Sequence, residues 1–206
     1  MKKLIKSGLG ISLALLMGNT WAATNQAVNS AGGGVTLTDS GLVTVTSTAL
    51  QLVKQVWVAG TCMASQPAQA ACNTSATTIN VPAGTAIKFL IYVQNSTGVA
   101  LSDVRFLDQL DDSATGFAYT AASMKTDVTQ NGTALASAIY TAAIAGTAQT
   151  DAVDVGGSNY ASITDTVASP APLDKLTVGA VAGQVNAVLN VNANTTFAIV
   201  FDATKL

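Results

Sequence analysis

Apolar residues that recur two apart constrain this chain more than any other feature. Ile87, Phe89, Ile91 and Val93 alternate with less apolar neighbours, and Phe197, Ile199 and Phe201 repeat the pattern near the C-terminus. Val185, Ala187, Leu189 and Val191 do the same, with Asn186, Asn190 and Asn192 expected to point outward. In an extended chain successive side chains leave on opposite faces, so a spacing of two gives each run one core face. Residues 42–46, LVTVT, and residues 50–58 add strands nearer the start. Residues 51–58, QLVKQVWV, alternate poorly, which predicts a bulge or cover on both faces. Thr and Val suit pleated, half-buried surfaces, and the abundant Asn and Gly suit the turns between them. Residues 133–148, TALASAIYTAAIAGTA, are rich in alanine, but their Thr, Ile and Tyr and their lack of charge favour extended structure over helix. Residues 169–172, SPAP, are read as a rigid loop. Short alternating runs between turn residues predict an all-β chain folded as an antiparallel β-sandwich.

The first residues predict where the protein works. Lys2, Lys3 and Lys6 precede ten apolar or small residues, GLGISLALLM, and polar Asn19 and Thr20 lead into Trp21-Ala22-Ala23. That is the layout of a secretory signal peptide, residues 1–22, with cleavage expected after Ala22. The apolar run is about half the ~20 residues that a spanning helix needs. No membrane span is therefore expected in the mature chain, whose localisation is read as extracellular or cell surface, with the periplasm as the alternative. Removing residues 1–22 from 206 leaves 184 residues, enough for one domain with a proper core. It also removes three of the nine basic residues. Six then face eleven aspartates, a net charge of −5, which argues against nucleic acid or an anionic membrane as partner.

What is missing restricts the chemistry. The chain has no His and no Glu, and Arg105 is its sole arginine. Without His there is no ordinary catalytic triad, no imidazole base and no His-ligated zinc. No Ser sits in a G-x-S-x-G or S-x-x-K setting. A carboxylate pair of the glycosidase type would lack a Glu, a supporting His and aromatic sugar platforms. The chain is accordingly read as no enzyme. Two cysteines ten residues apart, Cys62 and Cys72, are expected to form one structural disulfide in an exported protein.

The stretch IKFLIYVQN, a Gly three residues after its Asn, and then DVRFLDQL resembles the bacterial conserved repeat domain, domain of unknown function eleven. Val93, Asn95, Gly98, Val104, Phe106, Asp108 and Leu110 occupy that family's Val-x-Asn, Gly and Val-x-hydrophobic-x-Asp-x-Leu places. Asp111 stands where the family usually has proline, so the turn there is expected to differ. The resemblance extends over residues 50–206 and includes the closing segment VGAVAGQVNAVLNVNANTTFAIVFDAT. It implies an immunoglobulin-like sandwich on exported bacterial surface or extracellular proteins, and it does not imply an enzymatic activity.

Asp103, Asp108, Asp111 and Asp112 fall within ten residues, with Asp127 beyond them and Asp151 and Asp154 before a Gly-Gly pair. Oxygen ligands on loops suit Ca²⁺, which takes six to eight of them, but the spacing does not match a calcium loop. These residues are read first as turn-forming and solubilising side chains, with a calcium role as the weaker alternative; no cofactor is otherwise expected. The Asn-x-Ser/Thr sequons at Asn73, Asn95, Asn131 and Asn194 are uninformative in a chain this rich in Asn and Thr.

Residues 23–49 hold a triple glycine, one charge at Asp39, and the β-type runs VTLT and LVTVT. They are read as an extended segment before the domain at residues 50–206, either an ordinary first strand or a strand donated to another copy. Donation head to tail does not close, so it builds a filament. The expected function is a secreted structural protein that self-associates by strand pairing into a surface layer, matrix or fibre. The alternative is a monomeric adhesion or binding module.

Overall fold

The computed structural model of the protein describes residues 50–69, 72, 81–111, 115–152, 158–164, 174–181 and 184–206. The signal-peptide reading, residues 23–49, Asp112, Asp154 and residues 169–172 lie outside the described residues. In chain order the strands are β1 (Leu50–Val58), β2 (Thr61–Gln66), β3 (Ala86–Asn95), β4 (Leu101–Val104), β5 (Phe106–Leu110), β6 (Phe117–Tyr119) and β7 (Lys125–Asp127). The helix α1 (Ala136–Ile144) follows, then β8 (Thr147–Ala148), β9 (Ala161–Thr164) and β10 (Asp174–Val178). The last are β11 (Ala180–Val181), β12 (Gln184–Val185), β13 (Leu189–Val191) and β14 (Thr195–Lys205).

The chain is all-β and antiparallel, in a sandwich-like arrangement with one short helix among the described residues. The principal sheet runs β2-β1-β3-β14-β7-β8, with β6 also paired to β14. Smaller groups, β5-β10-β9, β13-β4 and β11-β12, make up the remaining strands. Ile87, Phe89, Ile91 and Val93 of β3 and Phe197, Ile199 and Phe201 of β14 bury one face of the principal sheet against Phe106, Leu176 and Leu189 of the smaller sheets. Each of these side chains stabilises the fold by about 1.5–3 kcal/mol relative to exposure.

The opposite face is buried too. Val53 and Trp57 of β1, Leu90 and Tyr92 of β3, and Ala198 and Val200 of β14 pack under Ile139, Tyr140 and Ala143 of α1. This explains why residues 89–93 of β3 are buried without a break, as befits a central strand covered on both sides. It also explains the poor alternation of β1. Its Leu50, Leu52, Val56 and Val58 join the first core, while Val53 and Trp57 join the second. The bulge itself lies in the partner strand and not in β1: the β1–β2 register shifts between Val56 and Trp57, leaving Met63 of β2 as the extra residue, whereas β1 pairs with β3 without a shift.

Two expectations are corrected. Residues 136–144 form a helix, not a strand. Ala136, Ile139, Tyr140 and Ala143 are its buried residues, an i, i+3, i+4, i+7 stripe, and alanine's helix propensity outweighs the four β-formers Ile139, Tyr140, Thr141 and Ile144 once that stripe has a sheet to cover. The helix stops against Gly146, where a side-chain carbon would stand 2.3 Å from the Thr126 carbonyl oxygen. Asn186, expected to point outward, is buried, and its Nδ2 donates to the Thr177 carbonyl at 3.0 Å. It lies between β12 and β13, where the run from Val185 to Val191 leaves the sheet, so alternation does not carry through it.

Candidate functional site

Of the motif residues, Asn95 organises the turns at one end of the sandwich. Asn95 is the last residue of β3 and is fully buried. Its Nδ2 donates to the carbonyls of Val99 at 2.8 Å, Asn192 at 3.0 Å and Val191 at 3.3 Å. Its Oδ1 accepts from the Thr97 N–H at 3.1 Å and the Thr97 hydroxyl at 2.6 Å. One side chain thus fixes the turn after β3 and ties it to the turn before β14. Backbone groups there would otherwise be left without partners. Gly132 packs on the same spot: a side-chain carbon there would stand 2.1 Å from the Asn95 carbonyl oxygen. Gly98 has open space around it and no such requirement. Val93, Val104, Phe106 and Leu110 are core residues.

Asp108 shares the inward face of β5 with Phe106 and Leu110, and its side chain is 5 % exposed. The Lys54 ammonium of β1 reaches across from the other sheet and donates to both carboxylate oxygens, at 2.8 and 2.6 Å. Lys54 Nζ also lies 5.1 Å from the centre of the Phe89 ring, a distance at which a cation is attracted to the ring face. Strand alternation puts Lys54 on the core side between Leu52 and Val56, which is the signal that QLVKQVWV carried and that a search for motifs passes over. The other polar neighbour on β1, Gln55, is fully buried on the helix side, where its Oε1 accepts from the Trp57 indole N–H at 3.0 Å.

The other described aspartates of the predicted groups are scattered. Asp103 binds the Arg105 guanidinium, with Nε to Oδ1 at 2.8 Å; that hydrogen bond holds the Arg105 pKa above its ordinary value. Asp111 accepts the Phe117 N–H on its backbone carbonyl at 2.7 Å. Asp127 caps its own turn through the Thr129 N–H and hydroxyl, at 3.1 and 2.8 Å. Asp151 accepts from the Tyr119 hydroxyl at 2.6 Å and the Ala122 N–H at 2.8 Å. Burial, and then that bond to Asp151, raise the Tyr119 pKa well above its usual value. Among the described residues no three acidic or thiol side chains come together as a metal would require. Cys62 and Cys72 stand at disulfide distance, their Cα atoms 4.9 Å apart, within the core under α1. In the described interior the Lys54 ammonium and the Asp108 carboxylate are two complementary reactive groups in direct contact. No protein-family model, no curated protein and no solved structure matches the chain.

Proposed function

We propose that this chain is an exported structural protein of the bacterial cell exterior, a non-catalytic subunit that self-associates into a surface layer, matrix or fibre. The leader-like layout of residues 1–22 and the resemblance to the immunoglobulin-like conserved repeat domain support this reading. A single structural observation carries it. Residues 23–49 join the sandwich at Leu50, which pairs with Asn95, and Asn95 pairs in turn with Thr195. The turns gathered on Asn95 at that same end expose Val99 and, beside the Gln94 amide bonded to the Ala134 carbonyl, Leu135, each 71 % exposed. Two exposed apolar side chains next to a segment whose sequence carries β-type runs and a single charge are suited to a second copy of the same chain, the segment pairing with a sheet edge and the apolar side chains burying against the neighbour.

The terminal strand β2, TCMASQ, carries no charge to deter such pairing. The test compares the mature protein with a form lacking residues 23–48, by light scattering after gel filtration. The expected result is large species for the first and monomers for the second. Assembly unaffected by the deletion would reject the donated arm.

A further inference from the structure

From the Lys54–Asp108 contact we infer that the two side chains condense into an amide, a covalent cross-link between the two layers of the sandwich. An amine held within 2.8 Å of both oxygens of a carboxylate lies inside the roughly 3–3.5 Å near-attack range of its carbon. Groups fixed in this way react as though at effective concentrations of about 10⁵–10⁸ M. The surroundings favour product. Asp108 is almost closed to water and Lys54 is 17 % exposed at its side chain. The neighbours are the Phe89 ring, which faces Nζ, and Leu176, which stands opposite Asp108 on β10. Two charges buried there incur a desolvation cost that condensation removes, because the amide is neutral. Exclusion of water also slows the reverse reaction.

The step balances without a co-reactant. Within the contact a proton passes from the Lys54 ammonium to the carboxylate, giving amine and acid. Rotation about the Asp108 Cβ–Cγ bond turns the carboxyl face toward Nζ, whose lone pair attacks Cγ. The new N–C bond forms, one C–O bond breaks, and that oxygen leaves as water with two of the three ammonium protons. The third stays on the amide nitrogen. In this step a second buried carboxylate carries protons between nitrogen and leaving oxygen. Asp174 shares the inward face of β10 with Leu176, one diagonal step from Asp108 in the β5–β10 register.

The test is the intact mass of the mature protein, residues 23–206, measured after reduction so that the cysteine pair does not contribute. The expected mass is one water below that of the sequence, with a branched proteolytic peptide joining the Lys54 and Asp108 segments. Lys54→Arg and Asp108→Ala should each restore the full mass, and Asp108→Asn should lose ammonia in place of water. Asp174→Asn should slow the loss at least tenfold; an unchanged rate would remove Asp174 from the proton-carrying role. The full sequence mass in wild-type protein that shows a cooperative thermal transition would overturn the cross-link. So would a water loss that maps to any other residues.

Discussion

The indole of Trp57 lies flat on the phenol ring of Tyr140, ring centres 4.0 Å apart and planes 6° from parallel. This contact joins β1 to α1 and holds the helix on the outer face of the principal sheet. It makes the helix the third layer of the structure and gives the second core its largest pair of rings.

Truncating that pair should loosen the helix. Tyr140→Ala is expected to destabilise the protein by about 3–5 kcal/mol, as large-to-small aromatic substitutions in cores do, whereas Tyr140→Phe should cost under about 1 kcal/mol because the stack survives. Urea denaturation of the two variants checks the difference. Equal losses would mean that the hydroxyl, not the ring, does the holding.

Asn95→Ala should cost about 3 kcal/mol, because it leaves several turn carbonyls and the Thr97 N–H without their partner in a buried site. Asn95→Asp should cost nearly as much, since a carboxylate cannot donate to the Val99, Val191 and Asn192 carbonyls. Thermal melts of both variants test this, and a loss confined to the alanine form would contradict the donor role.

Stability should fall in alkali. Burial raises the Tyr92 pKa and that of Tyr140, and burial followed by the Asp151 bond raises that of Tyr119. A group whose folded pKa exceeds its unfolded value of about 10 contributes stability that is complete below pH 10 and is lost as pH rises through the folded value, because the unfolded chain releases its proton first. Denaturation midpoints should therefore decline above about pH 10, and Tyr92→Phe should make that decline shallower. A midpoint independent of pH in this range, with tyrosinate absorbance appearing in the folded protein near pH 10, would contradict the assignment.

Chelation should leave the fold unaffected. Asp103 and Asp108 each face a cation of the chain itself, Arg105 and Lys54, and Ca²⁺ would need six to eight oxygens in their place. The expected melting temperature is the same in EGTA and in calcium; a clear rise with calcium would restore the metal reading.

Much of the fold is written in the two-residue period. Phe197, Ile199 and Phe201 face the core as their spacing says, because a strand in a sheet has few other ways to hide them. The helix is legible only in part. Ala136, Ile139, Tyr140 and Ala143 carry a helical stripe, yet its value depends on Trp57, 83 positions from Tyr140, being there to receive it. Local propensity cannot see such a partner. Lys54 is the same case. A lysine among apolar residues reads as surface until Asp108, 54 residues on, arrives opposite it across the core. Asp103 and Asp108 are close in sequence but not in environment, because alternation and a kink separate them: the first is a left-handed position with φ 56°, the second an inward strand position.

Self-association is tested most directly by following the mature protein, residues 23–206, by negative-stain microscopy at rising concentration. Elongated assemblies that lengthen with concentration, and that shorten when Val99 and Leu135 are replaced by aspartate, are the predicted result. A uniform monomer at every concentration would contradict it and leave a binding module in its place.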